Sequence, residues 1–201
     1  MKLSRKKIAR GQKRNDPRQQ RKRMLNLPLR QANDVDDYRI RSVRGDDIFL
    51  LWFWANDRQT RKNSFNSNPI AWSTHEAWCA ENFSAPNVRI WILEHQQVPV
   101  GQIRYERISA EVAEISFCVA PHFRHKGAGS RLLASTIYLA GRELGVNRVQ
   151  GLTFLDNRAS RGAFVNAKFQ VVEEQVMGGR ACLVFQRSCL LQTSQEAGVS
   201  L

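Results

Sequence analysis

Apolar and polar residues alternate from Val112 to Val119, the pattern of a strand with two unlike faces, and beyond Gly129 the period changes. Leu133, Ile137, Ala140 and Leu144 fall on one face of a 3.6-residue repeat, which predicts a helix fed directly by that strand. Upstream, Tyr38 to Arg44 reads as an edge strand broken by Arg39, Arg41 and Ser42. Val88 to Leu93 and Val98 to Arg107 read as a hairpin joined at Glu94-His95-Gln96-Gln97. Downstream, Val149 to Phe154, Phe169 to Glu174 and Ala181 to Gln186 predict three more strands, the last two turning through Met177-Gly178-Gly179-Arg180. Asp46-Asp47 opens a densely apolar helix from Ile48 to Ala55, and Ser73-Thr74-His75-Glu76 has the form of a capping box for a helix ending near Asn82. Between those helices, Asn56 to Ile70 is polar and too long for a simple connector. It is either a substrate-holding loop or a solvated one pinned by Phe65.

The join between the organising strand and helix carries the chemistry. Arg124-His125-Lys126-Gly127-Ala128-Gly129 places two glycines where a backbone must turn tightly and approach a ligand. The N–H groups of the following helical turn have no partners within the helix and point outward with partial positive charge. With Arg124 and Lys126 alongside, and Ser130 next in line, the loop is an anion cradle suited to a pyrophosphate. His125 is the one histidine with a reason to touch that ligand.

Composition narrows the setting. The chain has 201 residues, 42% hydrophobic and 24% charged, enough for one globular domain with appendages. No apolar run is long enough to span a bilayer, and the N-terminus lacks the apolar core of a secretion signal, so a cytoplasmic protein is expected. Cys79, Cys118, Cys182 and Cys189 show neither metal-ligand nor disulfide spacing and read as reduced thiols; no metal is expected. The net charge of +13 is concentrated at one end: residues 1–30 hold twelve Lys or Arg and one acid, leaving 19 basic and 17 acidic residues elsewhere. Residues 1–37 therefore read as a disordered basic arm and linker, residues 38–188 as the domain, and residues 189–201 as a loose tail. The arm would contact nucleic acid, ribosomes or an anionic membrane surface non-specifically, or is a solvated arm, or precedes a true start at Met24.

With Arg124, Gly127 and Gly129 filling Gln/Arg-x-x-Gly-x-Gly/Ala, the loop resembles the pyrophosphate loop of the GNAT superfamily of acyl-CoA-dependent N-acyltransferases. The segment Asn157-Arg158-Ala159-Ser160 with Phe164 and Phe169 resembles that family's Asn-x-x-Ser-x-x-x-Tyr/Phe-x-x-x-x-Phe helix, and the likeness runs from Tyr38 to Arg187. It implies an α/β (α+β) fold with a mostly antiparallel sheet of about seven strands and about four helices. The organising strand would be bulged and would splay from its neighbour, opening a slot for the pantetheine arm of acetyl-CoA. Phe117, Cys118 and Val119 match the slot, Arg124 to Ser130 the phosphates, and Asn157 an assisting contact.

The implied activity is acetyl transfer from acetyl-CoA to a primary amine, without metal. The Val119 N–H is the candidate for polarising the thioester carbonyl. Glu114, which alternation puts on one face with Ser116 and Cys118, is the candidate base, or else it forms a strand-edge salt bridge. Phe164 stands where the family has a tyrosine acid, and Ser160 is the substitute hydroxyl unless it only caps the helix or contacts cofactor. The stretch from Trp54 to Asn66, then Pro69-Ile70, His75 and Trp78, resembles the branch that acetylates nucleotide-linked amino sugars, as in pseudaminic acid biosynthesis. That likeness assigns Arg61 and Lys62 to nucleotide phosphates and Asn63, Phe65 and Asn66 to the sugar. Acetylation of protein N-termini or ribosome-associated amines, and a CoA-binding regulatory module without turnover, are the alternatives. Homodimerisation is left open.

Overall fold

The computed structural model describes residues 37–190. The basic arm and most of the C-terminal tail lie outside the described residues. Within them the chain runs β1 (Tyr38–Ser42), a 3-10 turn (Gly45–Asp47), α1 (Ile48–Ala55), α2 (Arg58–Lys62), α3 (Trp72–Asn82), β2 (Val88–His95), β3 (Val98–Arg107) and β4 (Val112–Val119). It continues through a 3-10 turn (Pro121–Phe123), α4 (Ala128–Leu144), β5 (Arg148–Phe154), α5 (Arg158–Asn166), β6 (Gln170–Met177) and β7 (Arg180–Ser188). One seven-stranded sheet has the order β1-β2-β3-β4-β5-β7-β6, and the α4 crossover makes β4–β5 its parallel pair. All other neighbours are antiparallel.

Strand alternation divides the sheet into two unlike faces. Ala113 and Ile115 of β4, Ile103 and Tyr105 of β3 and Val149 of β5 join the buried face of α4, where Leu132, Leu133, Ile137 and Ala140 are fully covered. Tyr105 brings a hydroxyl into this apolar layer, and the hydroxyl is satisfied by Thr136 Oγ1 at 2.9 Å. The opposite face carries Ile90 and Ile92 of β2, covered on the side of α1 and α3, whose Phe49, Leu51, Trp54 and Cys79 are buried. Glu114, Ser116 and Cys118 belong to this second face, opposite Glu106, Arg104 and Gln102 of β3.

One interruption of the sheet creates the site. The β4–β5 ladder runs only from Val112↔Arg148 to Ile115↔Gly151, so Ser116–Val119 have no partner on the β5 side. This is the splay expected from the resemblance. The expected bulge is not seen: β4 pairs with β3 from Ala113 to Val119 without a register shift. The strands simply diverge, β5 being held by β7 through Phe154↔Cys182. Ala120 N donates to Val100 O at 2.9 Å, so alternation along the strand turns the Phe117 and Val119 backbone groups away from β3 and into the opening.

Three local expectations change. The polar stretch after α1 contains a fifth helix, α2, capped by Asp57, whose carboxylate accepts from Gln59 N and Thr60 N. The capping box at Ser73 does not form, because the helix begins two residues earlier than that box requires, at Trp72, with Ala71 as N-cap and no side-chain cap bond. The hairpin is also tighter than expected, turning on Gln96 and Gln97 at φ 50 and 65.

Candidate active site

The cleft at the strand opening has a volume of about 1150 Å³ and runs from the glycine loop to the face bearing Glu114. Gly127, at φ 79, is the N-cap of α4, and Arg131 N is the first amide to return to it, at 3.0 Å from its carbonyl. The amides of Ala128, Gly129 and Ser130 precede that bond and have no partner within the helix. A Cβ on Gly129 would lie 3.3 Å from both Ala163 Cβ and Phe117 Cε2, so α4, α5 and β4 meet tightly at this residue. His125, at φ 61, and Lys126 are exposed on the loop, with Lys126 Nζ 5.8 Å from the centre of the Phe123 ring.

Arg124 departs from expectation. Its guanidinium turns away from the cradle, donating to Asp57 Oδ1 at 2.5 Å, Thr60 Oγ1 at 3.2 Å and Val119 O at 3.1 Å. Burial alone would raise the Asp57 pKa, but the Arg124 bond and the Thr60 amide outweigh it and hold the carboxyl below its ordinary value. Arg124 is therefore a latch tying the cradle to the α1–α2 corner.

On the acceptor side, Glu114 stands opposite Glu106 on β3 and Gln150 on β5, with no hydrogen bond or ion pair among the described residues. The salt bridge weighed against its role as base is thus not formed there. Cys118, beside Gln102 Nε2 at 3.7 Å, has its thiol pushed up to about 11 by burial and is a poor nucleophile. Phe117 meets Phe164 edge-on at 5.6 Å, and Phe164 stacks on Phe185 at 4.9 Å. Asn157 caps α5, its Oδ1 accepting from Ser160 N at 3.2 Å. The Ser160 hydroxyl, on the first turn of α5, lines the same cleft.

Arg61 lines the cleft and also donates to the carbonyls of Ala55, Asn66 and Asn68 and to Ser64 Oγ, so its guanidinium holds the loop together. Lys62, Asn63 and Asn66 line the cleft, and Phe65, half exposed, packs edge-on against Phe154 at 4.9 Å. His75 is turned inside, bonded to Ile48 O at 2.9 Å, and burial pushes its pKa down.

Sequence reasoning missed three residues here. Asp57 was hidden because its partner lies 67 positions away. Arg104, on the Glu114 face and 5.5 Å from the Trp78 ring centre, was foreshadowed only by the alternation of β3. Thr153 lines the cleft from β5 and carried no signal. Among the described residues no group of three or more His, Cys, Asp or Glu is placed to hold a metal ion, and no helix is long and apolar enough to cross a membrane.

Comparison with known proteins agrees with this geometry. The model of the acetyltransferase (GNAT) family matches residues 51–169, and the chain belongs to that family. Its class is accordingly that of an acetyltransferase. No curated protein matches in sequence. Among solved structures, spermidine N-acetyltransferase from Vibrio cholerae, in complex with CoA and spermine, superposes with a TM-score of 0.68 at 14% identity, covering 76% of this chain and 95% of that one. YncA from Salmonella typhimurium with acetyl-CoA gives 0.66 at 18%, covering 81% and 100%. RimL, a ribosomal L7/L12 alpha-N-protein acetyltransferase in complex with coenzyme A, gives 0.66 at 13%, covering 76% and 94%. At these identities the likeness speaks for the fold.

Proposed function

We propose that this protein acetylates the primary amine of a small molecule, and that its preferred acceptor is a nucleotide-linked amino sugar. The observation that carries the reading is an unpartnered carboxylate, Glu114, on the strand whose far end opens to the cradle. An amine attacks only when neutral, and Glu114, directly or through water, takes its proton. The Val119 N–H, turned into the opening, stabilises the charge that develops on the carbonyl oxygen. The amides of Ala128 to Ser130, with Lys126, His125 and the Asn157 side chain, hold the pyrophosphate and the arm, while Phe117 and Cys118 form the wall. Acetyl-CoA supplies the activated acyl group.

Lys62, Asn63, Asn66 and Phe65 support a sugar acceptor: an exposed aromatic beside two amides suits a ring with an apolar face and hydroxyls. With Arg61 bonded to its loop, Lys62 and Arg158 are cations lining the cleft that an anionic acceptor can use, and Arg104, ion-paired with Glu106 at 3.6 Å, stands on the Glu114 face beside them. A cytoplasmic setting accords with four free cysteines. The domain division at residues 37 and 188, and contact of the basic arm with RNA or ribosomes, belong to the same proposal.

The test is thiol release from acetyl-CoA over a panel of nucleotide-linked amino sugars, polyamines, aminoglycosides and N-terminal peptides. Turnover of nucleotide-linked sugars, reduced by Lys62→Ala, is expected. Turnover of peptides with the sugars inert would replace this acceptor with a protein N-terminus. CoA binding without any turnover would make the protein a regulatory module.

A further inference from the structure

We infer that Thr153 donates a hydrogen bond to the departing sulfur of the thioester, an inference that rests on the acetyl transfer proposed above. Thr153 Oγ1 is the buried side-chain N or O atom that lacks a hydrogen-bond partner among the described residues, and the residue is only 4% exposed. A hydroxyl left unpaired in an apolar layer lowers stability, which calls for a reason in function. Its neighbours cannot satisfy it: Leu183 lies opposite on β7, and Gly151 and Val149 share its face of β5.

Its place in the ladder supplies the reason. Ile115↔Gly151 is the last β4–β5 pair, so Thr153 is the next residue of that face along β5, level with Phe117 where the strands have parted. It lines the cleft between the level of Glu114 and that of the Val119 N–H. Glu114 projects from one face of the sheet and Thr153 from the other, toward α5. The amine approaches from the Glu114 face, and Thr153 flanks the slot that holds the thioester from the other face. Phe164, the large side chain on that wall, has no hydroxyl to offer and is pressed against Gly151.

The step balances without further reagents. A C–N bond forms as the C–S bond breaks, Glu114 receives the amine proton, and sulfur leaves with the electron pair. Thr153 stabilises that charge by a hydrogen bond and keeps its own proton, and solvent later protonates the thiolate. Because the hydroxyl favours the charged form of the sulfur, it also lowers the pKa of a bound thiol.

The test uses the full chain with CoA and desulfo-CoA as calorimetric probes, comparing wild type with Thr153→Val and Thr153→Ser across the pH range of thiol ionisation. In wild type, preference for CoA over desulfo-CoA should rise about tenfold as the thiol ionises. Thr153→Val should abolish the rise while leaving desulfo-CoA affinity and the melting temperature unimpaired, and Thr153→Ser should restore it. A rise that persists in Thr153→Val, or a loss that serine does not restore, overturns the inference. Failure of wild type to bind either probe overturns the transferase reading itself, and the inference with it.

Discussion

The latch between Arg124 and Asp57 makes a quantitative prediction about coupling between cradle and acceptor loop. Asp57→Asn removes the ion pair but retains an N-cap for α2, since asparagine caps as well as aspartate, and Arg124→Gln removes the other partner. Both side chains are 22% exposed, which places the pair between a screened surface bridge of about 0.2–1 kcal/mol and a charge-assisted bond of about 1.5–3 kcal/mol. A coupling of about 1–2 kcal/mol is therefore expected from a double-mutant cycle in urea. Each kcal/mol shifts the melting temperature of a domain this size by roughly 2–4 °C, so Asp57→Asn should melt about 2–8 °C lower. The pH dependence has a definite sign. Asp57 ionises below its ordinary 3.8 in the folded protein, so its contribution is complete above that pH and is lost as pH falls through the depressed folded value. Repeating the cycle with acetyl-CoA asks whether Arg124 stays on Asp57 or moves to phosphate; a coupling that vanishes on binding reports the move. Additivity within about 0.3 kcal/mol without ligand would sink the latch, whatever the ligand does.

Three further outcomes test the remaining parts of the site. Glu114→Gln should lower kcat/KM by roughly 10² to 10⁴-fold at neutral pH with acetyl-CoA affinity intact, and a mutant that kept the ascending limb of the pH–rate profile would leave Glu114 structural. Gly129→Ala should cost about 1–3 kcal/mol in urea unfolding and weaken CoA binding, because the new methyl presses on Phe117 and Ala163; unchanged stability would mean that the seam yields freely. Cys118, with its thiol pushed up to about 11, should react with iodoacetamide at pH 8 far more slowly than a free thiol, and labelling at the rate of free cysteine would contradict that raised pKa.

What was legible in the sequence follows from how local each signal is. β4 was read to its end residues because its two faces meet different solvents, and α4 because one stripe of Leu, Ile and Ala meets the sheet. The cradle was legible because helix N-termini and positive-φ glycines are local properties. By contrast, α2 carries no apolar stripe in Arg58–Lys62 and owes its turn to the Asp57 cap, a signal indistinguishable from an ordinary loop aspartate. The start of α3 was misplaced for a tertiary reason: Trp72 packs against Phe49 at 6.1 Å and Trp52 at 5.6 Å, drawing the helix back by two residues and leaving Ser73 inside it.

The partners of two arginines, Arg61 and Arg124, were not foretold by the sequence, and for one cause. A guanidinium has five donors on a long stem, so its partners are whatever oxygens the fold brings within reach, not those its sequence neighbours suggest. Arg61 found three carbonyls exposed by the turn at residues 55–68, and Arg124 found a carboxylate delivered by a different element. The amides of the glycine loop are untouched by this, because they need no side chain to point them. In the acceptor site proposed above, the anion would fall to Lys62 and to Arg104, whose present partner is Glu106 at 3.6 Å. Arg104 lies on the Glu114 face of the sheet itself, so an acceptor held there brings its charge closer to the reacting amine than one held by the loop alone. Arg104→Ala should therefore weaken acceptor KM more than Arg61→Ala does, provided the latter is compared at matched folded fraction, and the reverse order would return recognition to the loop.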